Sequence, residues 1–239
     1  MKHLKLLTVL IAMLLSMPII TSCSEDEEEA LLSPLSNIYA PTGMENGKGY
    51  VDLGLSVKWA TCNVGATTPE EYGDYFAWGE TEAKDYYYWN SYKWCNGTED
   101  SMTKYCTSSN SGTVDNKTVL ELSDDAARVN WGGSWRMPTK AEQDELINRN
   151  NCTWTWTTQN GVNGYKVTSK KNGNSIFLPA AGFRINSDLY AVSSLCFYWL
   201  SSLASNGYDA YIVCLTPSLV DLGDNGSRYS GISVRAVCE

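Results

Sequence analysis

The chain has 239 residues, 27 of them acidic and 18 basic, for a net charge of −9. Such a surface repels phosphate backbones, which disfavours nucleic-acid binding. The one histidine is His3, at the extreme amino end; once that end is cleaved away, Ser-His-Asp and Cys-His nucleophile activation, zincin sites and histidine-ligated metals are all excluded. Carboxylate chemistry, cysteine chemistry and oxygen-ligated hard metals remain open.

In chain order, residues 1–5 supply positive charge and residues 6–20 are mostly Leu, Ile, Met and Val. By charge and length this is a signal peptide, too short and wrongly flanked for a spanning helix. Ile20, Thr21, Ser22 and Cys23 resemble a bacterial lipobox, which implies removal of residues 1–22 and acylation of Cys23. The alternative is a soluble secreted protein with an incidental Cys23. Each buried methylene contributes about 0.8 kcal/mol, so a multiply acylated terminus is a lasting membrane anchor. Residues 24–29, SEDEEE, cannot pack and stay solvated. They also resemble the export tag that follows the lipidated cysteine in Bacteroidetes lipoproteins, which implies the outer face of the outer membrane; a periplasmic location is the competing expectation. Loss of Lys2 and Lys5 leaves 16 basic against 27 acidic residues, a net charge of −11.

Residues 23–48 read as an acidic, flexible tether, and residues 49–239 as one domain with one sizeable core. Setting Cys23 aside leaves Cys62, Cys95, Cys106, Cys152, Cys196, Cys214 and Cys238. An odd number allows at most three disulfides, Cys95 with Cys106 being the easiest closure, and leaves at least one thiol. The segment YVDLGLSVKW alternates around a glycine as an opening strand or hairpin. Ser123 is expected to cap a short helix ending at Gly132, and Thr139 with Glu142 to form a capping box on a second. Leu146 and Ile147 supply the second helix's buried side. Trp154 and Trp156 alternate in strand fashion, and Asn172-Gly173 marks a hairpin between residues 165–169 and 175–179. Residues 208–215 and 232–237 complete a set of short strands. The expected fold class is α+β, two short helices with a mainly antiparallel sheet and long loops.

Together YVDLGLSVKWATCNVGA, DYFAWGET, WGGSWRMPTKAE, IFLPAAGFR and SVRAV resemble the Fibrobacter succinogenes major paralogous domain family of Bacteroidetes and Fibrobacter surface proteins, over nearly all of residues 49–239. The resemblance implies a C-type-lectin-like fold in its formylglycine-generating-enzyme-like form, with the first and last strands side by side and long loops on one face. The chain lacks EPN and QPD tripeptides, and Trp89-Asn90-Ser91 stops short of a WND block, so calcium-mediated sugar recognition is not expected. No closely spaced cysteine pair lies near the carboxyl end, which argues against oxidase activity. Arg136 is expected to bond turn carbonyls or an acid, and Arg235 to form a structural ion pair.

Two stretches are candidate ligand surfaces. Residues 84–94, KDYYYWNSYKW, concentrate Tyr86, Tyr87, Tyr88, Trp89, Tyr92 and Trp94, rings with a polar handle that stack on sugars or anchor a partner; core packing is the competing reading. Residues 197–233 contain Asn206, Tyr208, Asp209, Asn225, Arg228 and Tyr229. They resemble the ligand-binding part of variable proteins made by diversity-generating retroelements, where amide and tyrosine side chains suit adaptable recognition; ordinary loop composition, with Leu200, Ile212 and Val213 in the core, is the competing reading. Asp74, Glu80, Glu82, Asp85, Asp124 and Asp125 are the carboxylates open to catalysis, but acids at helix starts are expected for the dipole alone. The resulting expectation is a non-catalytic, cofactor-free, metal-free surface lipoprotein that binds an extracellular glycan or protein. A structural or fimbria-tip subunit is the alternative, and a carboxylate-based glycan hydrolase a more distant one.

Overall fold

The computed structural model describes residues 40–220 and 224–239; Cys23 and the acidic run lie outside the described residues. Strand β1 (Gly43–Glu45), inside the stretch expected to be tether, pairs antiparallel with β2 (Lys48–Val51) at the start of the expected domain. Their turn is Asn46-Gly47, at φ 43° and 76°, the left-handed pair that a two-residue hairpin requires. Then β3 (Lys58–Ala60) pairs with β2, as the alternation of residues 50–59 predicts.

A long stretch without regular strands follows, up to α1 (Ala126–Trp131) and α2 (Lys140–Ile147). Asp125, not Ser123, caps α1: its carboxylate accepts from the Arg128 amide at 3.0 Å, while residues 122–124 form a separate 3-10 turn. Gly132 ends the helix at φ 66°. The expected capping box opens α2, with Thr139 accepting from the Glu142 amide and Glu142 accepting from the Thr139 amide at 2.8 Å. Arg136 bonds the same Glu142 through both terminal nitrogens, one at 2.8 Å. In the corner between the helices, Trp131 and Trp135 stack edge-on at 5.1 Å, and the Trp135 indole donates to the Glu45 carbonyl, locking the corner onto the β1–β2 hairpin.

The second half is sheet. The strands β4 (Cys152–Gln159), β5 (Val162–Ser169) and β6 (Ser175–Pro179) make a meander. Between β5 and β6 only Gly173 takes positive φ; Asn172 instead accepts from the Asn174 amide and donates to the Asp52 carbonyl, so the turn is wider than a two-residue hairpin. A short hairpin, β7 (Phe183–Ile185) and β8 (Asp188–Tyr190), precedes β9 (Cys196–Leu203), which pairs with β10 (Asp209–Thr216). On its other side β10 carries β11 (Leu219–Val220) and β12 (Asp224–Ser227). Finally β13 (Val237–Cys238) returns to pair with β3, so the first sheet runs β1-β2-β3-β13 and joins the two ends of the domain. The described residues form mostly antiparallel sheets with two α-helices, an arrangement consistent with an α+β or a mainly-β fold. Among the described residues no helix is long and apolar enough to cross a membrane.

Arg235 departs from the ion pair expected of it. Fully buried, its guanidinium bonds the Asn63 side-chain carbonyl at 2.9 Å and the main-chain carbonyls of Ala60, Thr61 and Phe177, stitching β3 to β6 without a carboxylate. No disulfide joins the seven described cysteines. Cys95 points at the Trp89 carbonyl and Cys106 at the Ser108 carbonyl, so the pair most easily closed from sequence is turned to other partners.

Candidate functional site

One of the buried clusters is built from the predicted aromatic run itself: Tyr87, Trp89 and Tyr92 pack with Tyr75, Met102 and Cys106. The cause is strand-like alternation through residues 86–89. Tyr87 exchanges backbone hydrogen bonds with Asn186, at the β7–β8 turn, and its ring lies over Gly231. A Cβ on Gly231 would come within 2.8 Å of that ring. The Tyr87 hydroxyl donates to the Tyr75 carbonyl at 2.5 Å. Tyr86 and Tyr88 therefore point outward, 40% and 42% exposed, and the Tyr88 amide donates to Ser91 Oγ at a 3-10 turn, Trp89–Ser91. Trp94 is half-buried; its indole donates to the Gly79 carbonyl at 2.7 Å, and the ammonium groups of Lys93 and Lys104 lie 4.4 and 4.8 Å from its ring.

The second predicted stretch meets the first. Asn206 folds the β9–β10 turn, its side-chain carbonyl accepting from the Tyr208 and Asp209 amides while its NH2 donates to the Asp209 carboxylate. Asp209 pairs with Ser227 and Tyr211 with Asn225 across β10 and β12. Beyond β12 the chain buries Arg228 completely and half-exposes Tyr229. Arg228 Nε donates to the Tyr92 hydroxyl at 2.9 Å, its terminal nitrogens reach the Tyr105 and Lys104 carbonyls at 3.1 and 3.0 Å, and its guanidinium sits 5.0 Å from the Trp78 ring. Tyr229 then contacts Tyr88 at 5.1 Å and Trp89 at 4.8 Å between ring centroids. Burial pushes its hydroxyl up, and the neighbouring Tyr88, Asp209 and Glu99 push it the same way against a lowering bond with Ser227.

The outcome for the predicted site residues is a division of labour. Tyr87, Trp89, Tyr92 and Arg228 are buried, with polar atoms of Tyr87, Tyr92 and Arg228 bonded inside the protein, so they are scaffold rather than contact surface. Tyr88 and Tyr229 are joined into one outward face, and the Asn206 turn bonds Asp209, whose charge acts on the Tyr229 hydroxyl. Tyr86, Tyr208 and Asn225 are exposed.

Three of the six carboxylates open to catalysis are engaged structurally, while Asp74, Glu82 and Asp85 are exposed. Asp124 accepts from Lys104 and from the Tyr105 hydroxyl, Asp125 accepts the Met137 and Arg128 amides, and Glu80 accepts Lys84 and the Lys93 amide. Burial raises the Asp125 carboxyl against those bonds. Among the described residues no group of three or more His, Cys, Asp or Glu is placed to hold a metal.

A second feature went unnoticed in the sequence, a cleft of about 400 Å3 lined by Arg149, Trp154, Trp156, Tyr165, Lys170 and Pro217 among others. Its signal was the alternation CTWTWTTQ with a cation on either side, which fixes the ring-bearing face of β4 but not what stands opposite. No family model, no curated protein and no solved structure matches the chain.

Proposed function

We propose that the chain is a lipid-anchored surface protein, a member of the paralogous-domain family named above with a C-type-lectin-like fold, and that it binds an extracellular glycan or protein without catalysis. The observation that carries the reading is the convergence of two segments, remote in sequence, on the Tyr88–Tyr229 pair. Beneath it, rings and a buried guanidinium hold the surface rigid, and a tyrosine–amide surface on a rigid base loses little entropy when it binds. The pairing of β13 with β3 fits the closure that the family implies. Acylated Cys23 anchors the chain in the outer membrane, and the acidic run after it directs the domain to the cell surface. Non-catalysis is supported by the absence of histidine after residue 3 and by the commitment of Glu80, Asp124 and Asp125 to caps and ion pairs.

The test is an array of glycans and matrix proteins probed with the full chain in detergent, with and without a calcium chelator. Chelator-insensitive binding that Tyr88→Ala with Tyr229→Ala reduces at least about tenfold, the scale of an interface hot spot, is the expected result. Unchanged binding by the folded double variant refutes the site. For the anchor, Cys23→Ser should end lipid labelling, and persisting label refutes it.

A further inference from the structure

Along β4, Trp154 and Trp156 share one half-buried side while Thr153 and Thr155 are exposed. Trp156 stands opposite Tyr165 on β5, rings 5.2 Å apart and near perpendicular, and Trp154 meets the same ring at 5.6 Å. The Tyr165 hydroxyl donates to the Thr216 carbonyl at 2.7 Å, which fixes the β10–β11 turn across from the indoles. Pro217, Ser218 and Val220 thereby become the facing wall of the cleft.

The charges of this cleft oppose those of the chain. Its charged lining consists of Arg149 and Lys170, with no acid among the described lining residues, in a protein of net charge −9. Lys170 Nζ donates to the Arg149 main-chain carbonyl at 2.6 Å, which ties the ammonium to the segment that carries Arg149. The Arg149 side chain is exposed and has no ion pair among the described residues. The nearby carboxylate, Glu145, is turned aside to the Ser56 amide and hydroxyl. The Trp156 indole N–H is open to solvent and makes no hydrogen bond among the described residues.

We propose that the cleft binds an anionic saccharide, its rings against Trp154 and Trp156 and its carboxylate or sulfate on Arg149 and Lys170. A volume of about 400 Å3 suits a small-ligand site. Two indoles one strand repeat apart, roughly 6.6 Å, offer successive platforms to a chain of rings, whereas a single flat base needs one. A planar guanidinium pairs two oxygens of a carboxylate or sulfate at once. Ser218 adds a hydroxyl that suits a polyhydroxy ligand. The site is independent of the Tyr88–Tyr229 face.

The test titrates the full chain in detergent with uronate and sulfated oligosaccharides, each beside its methyl-esterified or desulfated counterpart, by calorimetry and tryptophan fluorescence. An acidic probe should bind and its neutral counterpart bind about tenfold more weakly, the scale of one charge-assisted hydrogen bond. Arg149→Gln, at an exposed side chain, should remove that preference, Trp156→Ala should weaken both probes, and rising salt should weaken the acidic one. Tyr88→Ala with Tyr229→Ala should leave all of this unchanged, which separates failure here from failure of the face. Absence of binding by every acidic probe, equal affinity for the neutral forms, or an Arg149→Gln variant that keeps the preference overturns the proposal.

Discussion

Replacing Arg228 with methionine tests whether a buried guanidinium served only by neutral acceptors holds the candidate face in place. The side chain is fully buried, and the change strands the Tyr92 hydroxyl oxygen and the Lys104 and Tyr105 carbonyls. At about 1 kcal/mol for each, that loss is about 3 kcal/mol. The cation–π contacts with Trp78 and Tyr92, 5.0 and 5.3 Å away, contribute about 2 kcal/mol more when desolvated. Methionine refills much of the space and relieves a buried charge with no carboxylate partner, returning about 2 kcal/mol. The net destabilisation is about 3 kcal/mol, a fall in Tm of roughly 6 to 12 °C for a domain of this size. Circular dichroism melts and urea titrations of the full chain measure it, with Arg149→Met as an exposed control expected to stay within about 0.5 kcal/mol. An Arg228→Met variant as stable as the parent, or more so, refutes the reasoning.

Glu142 provides a pH-dependent test. Burial pushes its carboxyl up, but bonds from Arg136 and from the Thr139 amide outweigh that and hold it below its ordinary value. Its stabilisation is therefore complete above the unfolded value, about 4.3, and is lost as pH falls through the lower folded value. Glu142→Gln should cost about 1 kcal/mol at pH 7, and melts should show the difference closing below about pH 4; a difference that persists or grows in acid contradicts the assignment. The thiols give a third test. Alkylation in denaturant without reductant should label all seven described cysteines, while in the native protein Cys152 and Cys238, each pushed up to about 11 by burial, should react slowly. Thiols protected in pairs under denaturing conditions would mean disulfides and contradict the free-thiol arrangement.

What was legible in the sequence was what neighbouring residues decide among themselves. The capping box of Thr139 and Glu142 needs only its own turn, and the period-two pattern around Trp154 needs only its own strand. Asn46-Gly47 carried an equally local turn signal, masked by the Ser, Pro and Gly of its surroundings. The aromatic run resisted because the inward turn of Tyr87 is set by Asn186 and Gly231, far along the chain. Arg235 resisted for a related reason: β3 and β6 supply carbonyls where an acid was expected. The cleft depends on the tie from Tyr165 to Thr216 across two sheets, and no single segment encodes that.

The most direct measurement of the central claim is binding of the full chain to the glycan and matrix-protein array, parent beside the Tyr88→Ala, Tyr229→Ala variant with equal folding confirmed by circular dichroism. The account predicts a reproducible, chelator-insensitive ligand for the parent, weakened at least about tenfold in the variant. A parent chain that binds nothing, or a variant that binds as tightly as the parent, contradicts it.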